Sequence, residues 1–141
     1  MLDRMLGTWS LVSWVNVLAS GDVHYPLGEN ARGYISYSGD GFVFVHIMGE
    51  QRELFSINDP FAATDREHGI AGRSHISYSG RFELRDQQVS HFVDIASCPN
   101  WVGTTQLRDV EFSDDMLVLS AASALFQGHE VRAVLNWRRA N

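Results

Sequence analysis

The stretch Gly33-Tyr34-Ile35-Ser36-Tyr37-Ser38-Gly39-Asp40-Gly41-Phe42-Val43-Phe44-Val45-His46-Ile47-Met48 decides how the rest of the chain is read. Its arms are rich in β-branched and aromatic residues, which suit a pleated, half-buried surface. Between the arms, Asp40-Gly41 supplies the positive φ that a tight turn requires. The stretch therefore reads as a β-hairpin with arms Gly33–Ser38 and Phe42–Met48. Period-two alternation recurs in Thr8–Leu18, His75–Leu84, Val89–Ile95, Gln106–Phe112, Met116–Ala121 and Glu130–Arg138. A 3.6-residue apolar rhythm is almost absent. Ser20-Gly21-Asp22, Arg85-Asp86-Gln87 and Ser113-Asp114-Asp115 are the turn-forming clusters.

The pattern predicts about eight strands in mostly up-and-down order. Eight antiparallel strands can close into a barrel whose interior just holds side chains or one small ligand. Closure also removes the exposed edges that an open sheet would have to protect. The expected fold is all-β, a closed antiparallel barrel, with a two-sheet sandwich as the competitor. Met1–Leu6 can make one helical turn, and His24–Arg32, with Pro26 and Gly28, has little regular pattern. A short helix fits only within Gly49–Ser74, capped by Asn58 or Asp59 with Pro60 in its first turn. Such a helix could cover one barrel opening, with Arg66 and Glu67 as its solvent face. No linker or internal repeat interrupts the chain, so residues 1–141 read as one domain.

With 45% apolar and 20% charged residues over 141 positions, the chain can bury a core and is unlike a disordered sequence. A formal charge of −6 without any basic run argues against nucleic acid or anionic membrane surfaces as partners. Cys98 is alone and cannot form an internal disulfide, and no Cys/His spacing suits zinc. Phosphate-binding glycine loops, dinucleotide fingerprints, Ser-His-Asp orders and paired-carboxylate motifs are absent from the sequence. No cofactor or metal is therefore expected, and redox, kinase and metallohydrolase chemistry is disfavoured. The longest apolar stretch, Trp9–Ala19, is broken by Ser10, Ser13 and Asn16 and is too short to span a bilayer. No secretory signal layout is present, so a cytoplasmic location is the expectation.

The opening Leu6-Gly7-Thr8-Trp9-Ser10-Leu11-Val12-Ser13 resembles the Gly-X-Trp start of lipocalins and related calycin barrels. The whole chain resembles the small bacterial and fungal lipocalin-like domain family. The stretches that carry this are Tyr25-Pro26-Leu27-Gly28, Gly33-Tyr34-Ile35-Ser36-Tyr37, Asp40-Gly41, Tyr78-Ser79-Gly80-Arg81-Phe82 and Val89-Ser90-His91. Pro99-Asn100-Trp101-Val102-Gly103-Thr104, Arg108 and Leu135-Asn136-Trp137-Arg138 complete them, so nearly all of the chain is covered. The resemblance implies a small closed barrel with an internal cavity; it implies no particular activity, although several members sit beside secondary-metabolite pathways. The chain departs from secreted lipocalins in lacking their paired cysteines and signal segment, which argues against an extracellular carrier. At the closure, Trp9 on the first strand could stack with Arg138 or Arg139 on the last, a structural contact of order 0.5–2 kcal/mol.

Strand parity then points side chains inward or outward. Trp9, Leu11, Ser13 and Val15 share a face of the first strand; Ala133, Leu135 and Trp137 share one on the last. Ile76, Tyr78, Gly80, Phe82 and Leu84 form the inward set of their strand, and Val89, His91, Val93 and Ile95 that of the next. Gln106, Arg108, Val110 and Phe112 form the inward set of the strand after that. The expected interior is thus apolar but holds His91, Arg108 and Tyr78 on consecutive strands.

A buried charge is costly unless paired, so an inward arginine calls for an acid such as Glu130 or Asp94, a ligand with an anionic or carbonyl group, or a place at a barrel end where it reaches water. His91 could be a satisfied core imidazole, or a base near neutrality whose product Arg108 or the Tyr78 hydroxyl stabilises as an enolate or oxyanion. The loop Ser97–Thr105 could place Asn100 and Trp101 as a lid over the cavity, or Trp101 as a plug. Tyr37 and Phe82 complete the expected ligand-lining set.

The parity of His46 is undecided because both faces of its strand are apolar, while His24, His68, His75 and His129 fall in loops or outward positions. Cys98 has no base neighbour and is not read as a nucleophile.

These residues support two functions. One is a binding module enclosing a small, mostly apolar, polyketide-like molecule, with His91, Arg108 and Tyr78 reading one polar group. The other is a cofactor-free isomerase, cyclase or dehydratase using those three residues for acid–base chemistry. A filled barrel without ligand is the plainer alternative, and an outward run of Phe42, Phe44 and Met48 could pair subunits as a homodimer.

Overall fold

The structure, a computed structural model, describes residues 1–141 with the side chain of Ser123 left aside. Helix α1 (Leu2–Met5) leads into β1 (Gly7–Leu18), followed by the two-residue β2 (Val23–His24), β3 (Arg32–Tyr37) and β4 (Phe42–Met48). Helix α2 (Asp65–Arg73) precedes β5 (His75–Arg85) and β6 (Gln88–Ala96); a 3-10 turn at Pro99–Trp101 leads to β7 (Thr105–Ser113), β8 (Met116–Phe126) and β9 (His129–Arg139). The strands pair antiparallel in the order β2-β1-β3-β4-β5-β6-β7-β8-β9, and β9 returns to pair with β1 along Trp9–Leu18. Setting aside β2, a short hairpin return on β1, eight strands close a barrel. This is the expected fold, and closure excludes the sandwich.

The chain's turns use the chemistry that the sequence offers. Gly41, at φ 93°, closes the β3–β4 hairpin as Asp-Gly requires. Gly80 is needed for a different reason: a Cβ there would sit 1.8 Å from the Phe92 carbonyl oxygen, so the β5–β6 pairing admits no side chain.

Closure is held by a cation stacked on an indole, with the Arg139 guanidinium 3.9 Å from the centroid of the Trp9 ring. Arg139 also donates to the carbonyls of Leu6 and Arg4, and the Trp9 Nε1 donates to the Met5 carbonyl at 2.9 Å. These bonds fix α1 across one end, where Met5 is fully buried and Arg4 lies over Phe112. Trp9, Val43, Phe82, Val89, Val110 and Leu117 are buried in the core that fills this half of the barrel, and Trp137 is buried at its inner edge.

Irregularities in the sheet correct several expectations. A bulge between Leu11 and Ser13 shifts the register of β1 against β9, so Trp14 and Asn16 take the inward positions read for Ser13 and Val15. A second shift, beside Gly80, moves β6 by one residue, turning Ile95 outward at 71% exposure and Ala96 toward the core. The helix begins later than Pro60. Thr64 caps α2, accepting from the Glu67 amide, while the Glu67 carboxylate accepts from the Thr64 amide. Glu67 is thus a capping residue rather than an idle solvent-facing acid, and the bonds from the Thr64 and Ser56 amides hold its pKa down at about 2.

Candidate functional site

The other half of the barrel is hollow. A cavity of about 470 Å³ lies between walls of Ile35, Val45, Ile47, Ile76, Leu119 and Leu135, within the size range of small-molecule sites. Small residues make the room, since Ala121, Ala124 and Ala133 line it from β8 and β9. Pro26, Leu125 and Phe126 lie along its rim, and Leu125 is 80% exposed, so the hollow reaches solvent at this end. The filled-barrel alternative therefore describes only half of the molecule. Helix α2 contributes no lining side chain.

His91 on β6 borders the cavity and is 1% exposed. Its Nε2 lies 2.8 Å from the Tyr37 hydroxyl and its Nδ1 lies 2.7 Å from the Tyr78 hydroxyl. Burial, and secondarily the charge of Arg108, pull its pKa down to about 3, so the imidazole is neutral with one N–H and one lone pair.

The tautomer follows from hydrogen-bond satisfaction. Tyr37 is 1% exposed and does not line the cavity, and the acceptor within reach of its hydroxyl proton is His91 Nε2. Tyr37 therefore donates to Nε2, the proton resides on Nδ1, and Nδ1–H donates to the Tyr78 oxygen. The Tyr78 O–H is left over, on a residue that borders the cavity. Burial raises the Tyr37 pKa well above its usual value and lifts that of Tyr78 to about 12, so both hydroxyls keep their protons.

Arg108 on β7 points into the same hollow, partly buried. Its Nη1 donates to the Leu107 carbonyl at 2.9 Å and its Nη2 to Gln106 Oε1 at 3.0 Å. Neither Glu130 nor Asp94 neutralises it. Among the described residues the ion pair present is Arg66 with Glu53, on the surface. Trp101 also lines the cavity, its ring edge-on to Tyr78 with centroids 5.9 Å apart.

The seven residues singled out from sequence thus divide. His91, Arg108, Tyr78 and Trp101 border the hollow; Tyr37 stands behind His91; Phe82 packs edge-on against Tyr37 in the filled half, and Asn100 is exposed on the 3-10 turn outside the lining. Sequence reasoning did not single out Trp14, Asn16, Gln106 or Trp137, which also line the cavity. His46 faces outward, where its Nε2 lies 2.8 Å from that of His75. Among the described residues no group of three or more His, Cys, Asp or Glu is placed to hold a metal. No helix among them is long and apolar enough to cross a membrane.

An eight-stranded antiparallel barrel, plugged at one end and hollow at the other, is an architecture that can enclose one small ligand. The chain belongs to the Lipocalin-like domain family, whose family model matches residues 6–140. It is similar to the 4'-hydroxy-3'-methoxypropiophenone carrier protein ppsC of Aspergillus oryzae, at 40% identity over 87 residues, covering 55% of this chain and 78% of that protein. Among solved structures, an uncharacterized protein from Bacteroides eggerthii DSM 20697 shares the fold, with a TM-score of 0.50 and 13% identity over 96% of this chain and 99% of the other.

Proposed function

We propose that this protein is a carrier that encloses a small, mostly apolar molecule and reads one carbonyl or anionic group on it through the Tyr78 hydroxyl and the Arg108 guanidinium. The observation that carries this reading is the Tyr37–His91–Tyr78 chain, which spends the imidazole on holding a tyrosine proton free at the cavity wall. An arginine without a carboxylate partner beside that proton makes a local field suited to a partly negative oxygen. The similarity to a protein named as the carrier of an aryl ketone supports the same class of ligand. The enzyme reading needs His91 as a base, and both its ring nitrogens are already engaged.

Calorimetric titration with 4'-hydroxy-3'-methoxypropiophenone tests the reading. Wild-type protein should bind it, and Tyr78→Phe or Arg108→Leu should each weaken binding about tenfold, the worth of one hydrogen bond to a polar oxygen. Absence of binding by the wild type, or affinity unchanged in both variants, overturns the assignment.

A further inference from the structure

Trp14 Nε1, Asn16 Oδ1 and Trp137 Nε1 are buried polar atoms without a hydrogen-bond partner. Native interiors satisfy almost all such atoms, so three together call for an explanation. All three side chains line the same cavity. Asn16 is 4% exposed and Trp137 fully buried, so bulk solvent does not serve them. They also lie on one wall, because β1 and β9 are neighbours in the ring, with Trp14 opposite Leu135 and Asn16 opposite Ala133. Counting round the eight-stranded ring, β1 stands four strands from β6, so this wall faces the one that carries Tyr78 and His91.

We propose that this wall is a second polar subsite, one that takes an un-ionised hydroxyl on the ligand. The proposal rests on the carrier reading and specifies its ligand: a molecule with a carbonyl at one end and a hydroxyl at the other. The two indole N–H groups can only donate and the amide oxygen can only accept. A hydroxyl is the complement of an indole donor beside an amide acceptor, with a lone pair for the Trp14 N–H and a proton for Asn16 Oδ1, which lie two residues apart on β1. A carbonyl would leave Asn16 Oδ1 unpaired, and a carboxylate, with no proton to give, would turn lone pairs toward that acceptor oxygen. Arg108, the cavity's charged residue, is on β7 rather than on this wall, so a phenol docked here keeps its proton. The tryptophan rings also offer apolar faces to the body of the ligand, which suits an aromatic hydroxyl.

Paired titrations of 4'-hydroxypropiophenone and propiophenone by calorimetry test the subsite. Wild-type protein should prefer the hydroxylated ketone about tenfold. Asn16→Leu and Trp14→Phe should each erase most of that preference, read as the ratio of the two affinities within the same variant, whereas Tyr78→Phe should weaken both ketones alike and leave the ratio unchanged. If both ketones bind and Asn16→Leu leaves their ratio unchanged, the subsite is refuted and the carrier reading stands. If neither ketone binds wild type, the carrier reading itself fails for this ligand class and the subsite falls with it.

Discussion

Replacing His91 by glutamine should flatten the acid side of the stability profile. In the folded protein His91 titrates at about 3, against an ordinary value of 6.5, because burial penalises its charged form. The unfolded chain therefore binds this proton more tightly than the native one. The neutral imidazole's full contribution is present above about pH 6.5 and is lost progressively as the pH falls toward about 3. Each pH unit in that window is worth about 1.4 kcal/mol, so lowering the pH from about 6.5 to about 5 should cost about 2 kcal/mol through His91 alone.

Glutamine does not titrate, and its carboxamide can mimic the bridge by accepting from Tyr37 and donating to Tyr78. The lowered pKa of His75, set by partial burial and then by His46 and Arg52, acts in the same direction but is common to both proteins. Urea unfolding followed by tryptophan fluorescence at the two pH values reads the difference. Wild type should lose about 2 kcal/mol more than His91→Gln over the interval. Equal losses would falsify the neutral, doubly bonded imidazole, and with it the tautomer that frees the Tyr78 proton.

The remaining expectations concern the frame that holds the site. Arg139→Ala removes the cation from the Trp9 face and two donors from the carbonyls of Leu6 and Arg4, and should lower stability by about 2 kcal/mol in urea unfolding. Lysine at 139 should recover less than half of that, since it lacks the planar fork; full recovery would refute the stacked geometry. Gly80→Ala places a Cβ against the Phe92 carbonyl and should cost about 3 kcal/mol or more, seen as loss of the cooperative thermal transition. A near-native melt for this variant would mean that β5 and β6 do not approach as described.

The barrel was legible because alternation is a local property of each strand, and most of the expected strands stand within a residue or two of where the pattern ends. The main strand the pattern did not show is β2, whose two residues are too few to alternate. The helix is a different case. Thr64-Asp65-Arg66-Glu67 is a capping-box signature that sequence alone contains, and Pro60 drew the expected start away from it. His91, Arg108 and Tyr78 were recognisable as polar residues on otherwise apolar faces. Tyr37 was among the expected lining residues, but its contact with His91 is long-range, 54 residues apart in sequence, and only closure brings the two rings together.

The polar residues of the opposite wall were hidden for a reason that bears on how the hollow arises. Parity propagates along a strand only while pairing is regular, and one extra residue inverts every side chain beyond it. On β1 the irregularity between Leu11 and Ser13 does this, turning Trp14 and Asn16 inward and Ser13 to the side of Asn136, whose Nδ2 donates to the Ser13 hydroxyl at 3.0 Å. Had the register stayed regular, Ser13 and Val15 would face the interior, and neither offers an indole or an amide to a ligand. A further shift, on β8 between Ala121 and Ala124, falls among the alanines that line the cavity. These two irregularities flank β9 on either side, and β9 with β1 forms the wall that carries the unpartnered atoms. Regular strands close the fold, and the bulges choose which polar groups look inward.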